Sequence, residues 1–143
     1  MSLSGITVPQ NIIKIYEDKR FEKKEGGLIL KIDGESLEIE KNVTDNFDMI
    51  ASALPDAEPR YILYDMPVKN RANLEDFRTI FVFWMPMESP VRLRMTYSST
   101  KSIITSNFRG IAMQHQEDEM SNMNLDYLTM KLNKQQGINN PIM

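Results

Sequence analysis

A chain of 143 residues with 41% apolar and 26% charged side chains has the size and composition of one globular domain with a real core. Its formal charge of −3, single histidine and lack of cysteine exclude a disulfide framework, thiolate chemistry and a clustered zinc site, and nothing in the total calls for nucleic acid. No apolar run approaches transmembrane length and the N-terminus lacks the build of a signal peptide, while the absence of cysteine suits a reducing compartment.

Taken in order, Ser4 to Val8 is short and uncharged, a chain end expected to be mobile unless something holds it. Pro9 opens a helix to about Lys19 with Ile12, Ile13, Ile15 and Tyr16 as apolar positions. Lys19 to Glu25 is a charged connector whose two glutamates dilute its basic residues, so it reads as a solvated loop before a nucleic-acid patch. Gly27 to Ile32 is a strand, Asp33-Gly34 a hairpin turn, and Ser36 to Lys41 the returning strand, with Leu37 and Ile39 alternating against Glu38 and Glu40. Thr44 is expected to cap a helix carrying Phe47, Ile50, Ala51 and Leu54, which Pro55 ends. Arg60 to Asp65 is a third strand, Pro67 to Asp76 a polar connector, and Phe77 to Trp84 a central strand covered on both faces.

The most informative stretch follows, from Glu88 to Phe108. Ser89 before Pro90 is a helix-opening pair. Leu93, Tyr97, Ile104 and Phe108 then fall near one line at helical spacing, a buried face. Arg92, Met95, Ser99 and Ser102 fall on another, which begins with a cation and a methionine and continues with small hydroxyls. That second line is either a docking edge or an ordinary surface with one stray methionine.

Gly110 stops this helix, and Ile111 to Gln116 is a short strand that puts His115 on the face of Ile111 and Met113. A partly covered structural histidine is the reading there; a small hydrolase would need His115 in a pocket beside a nucleophile. Glu117 to Glu119 lead acidically into a last helix over about Asn124 to Lys134, with Leu125, Leu128 and Leu132 as its buried stripe. From Gln135 the polar tail reads as disordered. The order helix, hairpin, helix, two strands, long helix, strand, helix describes one layered α/β domain of the α+β type with a mixed sheet.

Several fragments in sequence carry a resemblance to a known family. Ser4-Gly5-Ile6-x-Val8, Arg60-Tyr61-x-Leu63-Tyr64-Asp65, Phe83-Trp84-x-Pro86 and Val91-Arg92-x-Arg94-Met95-x-Tyr97-Ser98-Ser99-x-Lys101 are joined by Gly110-Ile111 and Leu125-Asp126. Together they resemble the actin-depolymerising factors of the ADF/cofilin family, in a compact form nearer the plant and protist members. The resemblance implies a single ADF-homology domain over residues 4–134, with a five- to six-stranded mixed sheet sandwiched by helices, and a disordered tail over 135–143. It implies a cytoplasmic, monomeric, non-enzymatic protein of the actin cytoskeleton, without cofactor, that binds actin monomers and filaments and promotes depolymerisation and severing.

By the same resemblance, Ser4, Gly5, Ile6, Arg92, Arg94, Met95 and Ser99 belong to the surface shared by monomer and filament binding, and Lys131 and Lys134 to a filament-only surface. Ser4 matches a serine whose phosphorylation abolishes actin binding in many relatives, and overlap of basic and actin surfaces makes phosphoinositides a further candidate partner. The chain departs from the family where Lys69 and Arg71 are offset in the Pro67–Asp76 segment, where Met130 replaces an acidic residue beside Lys131, and where a basic insertion after the first helix is absent. The first two departures favour monomer-type binding over efficient severing, and the missing insertion is one that resembles a nuclear-import signal in animal relatives. The same-fold relatives, glia maturation factor and coactosin, typically lack the Ser-Gly-Ile start and alter the arginine pair.

Overall fold

The structure, a computed structural model, describes residues 5–44 and 46–135; Ser4 and the tail beyond Gln135 lie outside them. Helix α1 (Gln10–Phe21) precedes the hairpin β1 (Gly26–Asp33) and β2 (Ser36–Thr44), and α2 (Phe47–Ala53) leads to β3 (Arg60–Lys69) and β4 (Glu75–Trp84). The long helix α3 (Val91–Asn107) crosses to β5 (Ile111–Glu117), and a 3₁₀ turn (Met120–Asn122) leads into α4 (Leu125–Gln135). The five strands lie in the order β2-β1-β3-β4-β5, antiparallel except for the β4–β5 pair. A parallel pair needs a crossover, and α3 supplies it.

Alternation along the central strands splits the interior into two layers. Ile62, Tyr64, Met66, Ile80, Val82 and Trp84 face a core completed by Phe47 and Ile50 of α2 and Leu128 and Leu132 of α4. Tyr61, Leu63, Phe81 and Phe83 face the opposite core, completed by Ile12 and Tyr16 of α1 and Tyr97, Ile104 and Phe108 around α3. Each face of the sheet therefore carries one pair of helices. The expected order of elements, the mixed sheet and the buried stripes of α3 and α4 all hold.

The details correct several local expectations. The α1 helix runs on to Phe21, taking in residues expected as connector. Thr44 closes β2, and the cap of α2 is Asn46, whose side-chain oxygen accepts from the Asp48 amide at 2.8 Å. The Pro67–Asp76 segment is mostly a ladder: β3 and β4 stay paired out to Lys69 and Glu75, and Asn70 Oδ1 holds the tip by accepting from the amides of Ala72 and Leu74. Ser89 gives α3 no side-chain cap; it is buried with its Oγ unpartnered.

Two bulges change which face a side chain meets. Ile29 pairs with Lys41 and Leu30 with Ile39, so Glu40 is extra, and Leu37 and Val43 reach opposite cores although both are odd-numbered. Thr79 pairs with Ile111 and Ile80 with Met113, so Ala112 is extra and Ile111 turns to the other face from Met113 and His115.

Candidate functional site

The N-terminal end of α3 is presented by a short loop leaving β4. Met85 is buried and its amide donates to the Glu117 carbonyl at 2.9 Å, which fixes where the loop starts. The Ser89 amide donates to the Pro86 carbonyl, Pro90 sits at φ −57° and ψ 143°, and its carbonyl accepts from the Arg94 amide at 3.0 Å to open the helix. On the inner face Tyr97, Thr100 and Ile104 are buried, and the Tyr97 ring lies among Tyr61, Phe81 and Phe83. Burial holds the Tyr97 phenol above its ordinary range, so it remains protonated.

The outer face at this end is apolar where a solvated helix would be polar. Met87, Val91 and Met95 are 67, 71 and 67% exposed. Positions 91 and 95 are one turn apart on one face, and Met87 continues the line into the loop. Arg94 secures that continuation: the residue is half-buried, and its exposed Nη1 donates to the Met87 carbonyl at 3.2 Å. Arg92 is exposed and makes no ion pair or hydrogen bond to another described residue. Further along, Ser99 and Ser102 are exposed, with Ser99 Oγ donating to the Thr96 carbonyl at 3.1 Å.

The sequence pattern found Arg92, Met95 and Ser99 on this edge but missed Met87 and Val91. Val91 is the first helical residue and Met87 lies before the helix, so a periodicity count begun at Arg92 has no place for either. Beside the loop lies a hollow of about 340 Å³ whose walls include Trp84, Pro86, Glu88 and Met120. The segment bearing Met120 is tied down by Glu117, whose Oε2 accepts from the Glu119 amide and Asn122 Nδ2, both at 3.0 Å.

The N-terminal segment is held by the β1–β2 hairpin. The Thr7 amide donates to the Glu35 carbonyl at 2.8 Å and its carbonyl accepts from the Leu37 amide at 2.9 Å, so this part of the chain end is held by an isolated parallel bridge between Thr7 and Ser36. Gly5 is exposed at φ +75°, where a side chain would be strained, and Ile6 is buried at 7% exposure. The side chain of Ile6 anchors the segment in its own fold and leaves the surrounding backbone as the outward-facing part.

The two basic positions of the last helix stand elsewhere. Lys131 is half-buried with its ammonium 5.4 Å from the Tyr127 ring centre, and Lys134 is exposed. The α4 helix packs on the opposite face of the sheet from α3, so the structure separates Lys131 and Lys134 from Arg92, Arg94 and Met95. His115 is a structural residue: its Nε2 lies 2.7 Å from Glu117 Oε1 and its ring packs edge-on against Tyr127. Among the described residues no group of acidic and histidine side chains is arranged to hold a metal ion, and no helix is long and apolar enough to cross a membrane.

Residues 5–133 match the family described as cofilin/tropomyosin-type actin-binding protein. The chain belongs to that family. Actin-depolymerizing factor 8 of Arabidopsis thaliana is 33% identical over 110 residues, covering 74% of this chain and 79% of the relative. Among solved structures, the cofilin of Streptomyces griseoflavus superimposes with a TM-score of 0.82 at 23% identity, covering 91% of this chain and 98% of that one. Human coactosin-like protein reaches a TM-score of 0.80 at only 9% identity, covering 94% and 93% of the two chains. A cofilin and a coactosin thus share this fold, so the backbone alone does not separate the activities within the ADF/cofilin group.

Proposed function

We propose that this protein binds actin monomers through the open end of α3 and, with a second surface on α4, binds filaments and promotes their disassembly. The observation that carries the reading is the exposed apolar line Met87–Val91–Met95 beside an unpaired Arg92. Water-exposed methionines with flexible side chains suit a hydrophobic groove whose walls they must fit closely. Arg92 and Arg94 are two positions apart, about 200° around the helix, so both serve one partner if the helix end itself enters the groove. Actin is acidic, and the arginines orient the approach while apolar burial supplies most of the affinity. By the resemblance Gly5, Ile6 and Ser99 belong with this surface, and Lys131 with Lys134 form the separate filament contact.

The test is sedimentation of actin filaments with and without the protein, paired with a binding assay on labelled monomers. The reading expects a larger unpolymerised fraction and saturable monomer binding, both reduced in a Val91→Asp/Met95→Asp variant that keeps its melting temperature. Co-sedimentation with no rise in unpolymerised actin would point instead to a coactosin-like filament binder. Binding to neither form of actin would end the proposal.

A further inference from the structure

The hollow beside the loop into α3 has walls of two kinds. Trp84, Pro86 and Met120 make it apolar, the first two buried, whereas Asp56, Glu88 and Asp118 line it as exposed carboxylates. Three separate segments bring those acids together, and each is tied down. The Trp84 indole Nε1 donates to the Pro55 carbonyl at 2.8 Å, which sets where Asp56 stands. The Ser89 amide turns back onto the Pro86 carbonyl at 3.1 Å around Glu88, and Glu117 Oε2 accepts from the Asp118 amide at 3.2 Å. None of the three carboxylates meets a cation or a hydrogen-bond donor among the described residues. Ser89 Oγ, buried in the same turn as Glu88, has no partner either. Like charges held close without a counter-charge raise the energy of the free protein, and a cation among them lowers it.

We propose that this hollow takes a basic side chain, a lysine or arginine, of the actin monomer docked on the Met87–Val91–Met95 line. Met87 stands between Pro86 and Glu88 in the chain, so the hollow and the apolar line share one turn. A partner seated on the line therefore meets the hollow. The methylene stem of a basic side chain suits Trp84, Pro86 and Met120, and its head brings positive charge and several N–H donors to oxygens that lack them. The apolar line supplies affinity and the hollow supplies selection. A partner presenting an acidic residue there meets three carboxylates and is rejected.

The inference rests on the actin-binding reading, and the experiment keeps their failures apart. Affinity and dissociation rate for labelled actin monomers are measured for wild type and for an Asp56→Asn/Glu88→Gln/Asp118→Asn variant. A Glu22→Gln/Glu75→Gln/Asp126→Asn variant, which neutralises three exposed acids outside the hollow, is the control. Wild type that fails to bind monomers overturns the actin reading and the occupant of the hollow with it. Actin is acidic, so where charge acts only at long range, losing three negative charges helps association, and the control should bind as well as wild type or better. The hollow variant should do the opposite. Its affinity is expected to fall about tenfold or more, chiefly through faster dissociation, as charge-assisted hydrogen bonds are lost. Should that variant melt early, Glu88→Gln alone carries the same test, with a smaller loss of the same sign. Equal or tighter binding by the hollow variant, with wild type binding, overturns this inference alone, and so does an equal deficit in the control. Calorimetric titration of the free protein with calcium or magnesium chloride tests the other cation: saturable uptake that the hollow variant loses would give the carboxylates to a metal ion and overturn the assignment.

Discussion

The phenol oxygen of Tyr97 on α3 accepts a hydrogen bond from the backbone amide of Ile32 at 2.9 Å. The β1–β3 ladder ends at Leu30 and Tyr61, so no β3 residue stands opposite Ile32 and its amide would lack a ladder partner on that side. Ile32 pairs with Leu37, which in turn donates to the Thr7 carbonyl. One phenol therefore ties the long helix to the hairpin that holds the N-terminal segment.

Replacing Tyr97 with phenylalanine keeps the ring among Tyr61, Phe81 and Phe83 and deletes only this bond. Chemical denaturation should show a loss of about 1 kcal/mol, the net worth of one such bond plus a stranded amide. Hydrogen exchange should speed up first at Ile32 and Leu37. Exchange unchanged at these two amides would mean that the tie does not restrain the segment.

Asp65 carries an opposite kind of burden. It is buried in β3, and burial raises its carboxyl above the usual range despite the bond from Thr79 Oγ1 at 2.5 Å and the nearby Arg20. Because the folded-state value lies above the unfolded one, the folded chain holds this proton more tightly. Its contribution to stability is fully present below the ordinary aspartate range and is lost as pH rises through the folded value. Asp65→Asn retains an acceptor for Thr79 and removes the charge, so it should melt higher than wild type at neutral pH. The gap should close on acidification below the ordinary aspartate range. A melting advantage that grows in acid would reverse the assignment.

The bulge at Glu40 gives the contrary sign. Arg60 is buried and forks onto this carboxylate, Nε to Oε1 at 2.9 Å and Nη2 to Oε2 at 3.2 Å. These bonds, chiefly, hold the Glu40 carboxyl below its usual range. The stabilisation is present above the ordinary glutamate range and lost as pH falls through the lower folded value. Glu40→Gln should lose about 1–3 kcal/mol at neutral pH, because the buried guanidinium keeps only its partners at Glu58 and the Pro59 carbonyl. Urea midpoints across pH check it; a deficit that persists unchanged in acid would count against the pair.

Much of this architecture is legible from residue pattern, and its exceptions have physical causes. The helix stripes of Tyr97, Ile104 and Phe108, and of Leu128 and Leu132, are written at a constant period, as is the run from Ile80 to Trp84. Glu40 and Ala112 are invisible to such counting, because one inserted residue leaves the hydrophobic alternation intact on paper while exchanging the faces. The outer β3–β4 ladder is missed for another reason: its tip has little apolar burial to record, and backbone pairing supports residues from Val68 to Asp76. At the candidate site, Arg92 and Met95 stand out in the sequence, whereas Met87 joins them only through the bond from Arg94. The burial of Ile6 comes with the bridge that Thr7 makes to the distant hairpin, which a local reading does not contain.

Glycine 110 tests the packing beneath the sheet end. Its φ is +82°, and a Cβ there would come within 2.1 Å of Arg20 Nη2, while Arg20 Nε donates to Thr79 Oγ1 at 3.1 Å. Gly5 has a similar φ of +75° with open space around it. Gly110→Ala should therefore combine backbone strain with displacement of Arg20 and lose about 2 kcal/mol or more, and Gly5→Ala should lose about 1 kcal/mol or less because the strain can relax in an exposed segment. Equal losses in thermal melts would show that Arg20 moves aside freely.

The two arginines of α3 should fail differently when removed. Arg92 is exposed and unengaged, so Arg92→Ala should leave stability within about 0.5 kcal/mol of wild type. Its effect should fall on association with actin, slower at low ionic strength and converging with wild type as salt screens the charge. Arg94 is half-buried and holds the Met87 carbonyl, so Arg94→Ala frees the loop that carries one end of the apolar line. That variant should lose about 1 kcal/mol in denaturation and dissociate faster from monomeric actin at every salt concentration. Stopped-flow mixing with labelled monomers from low to high salt separates the two patterns. Matching salt profiles and matching dissociation rates for the pair would mean that both side chains act simply as charge, and that the bond to Met87 has no part in shaping the surface.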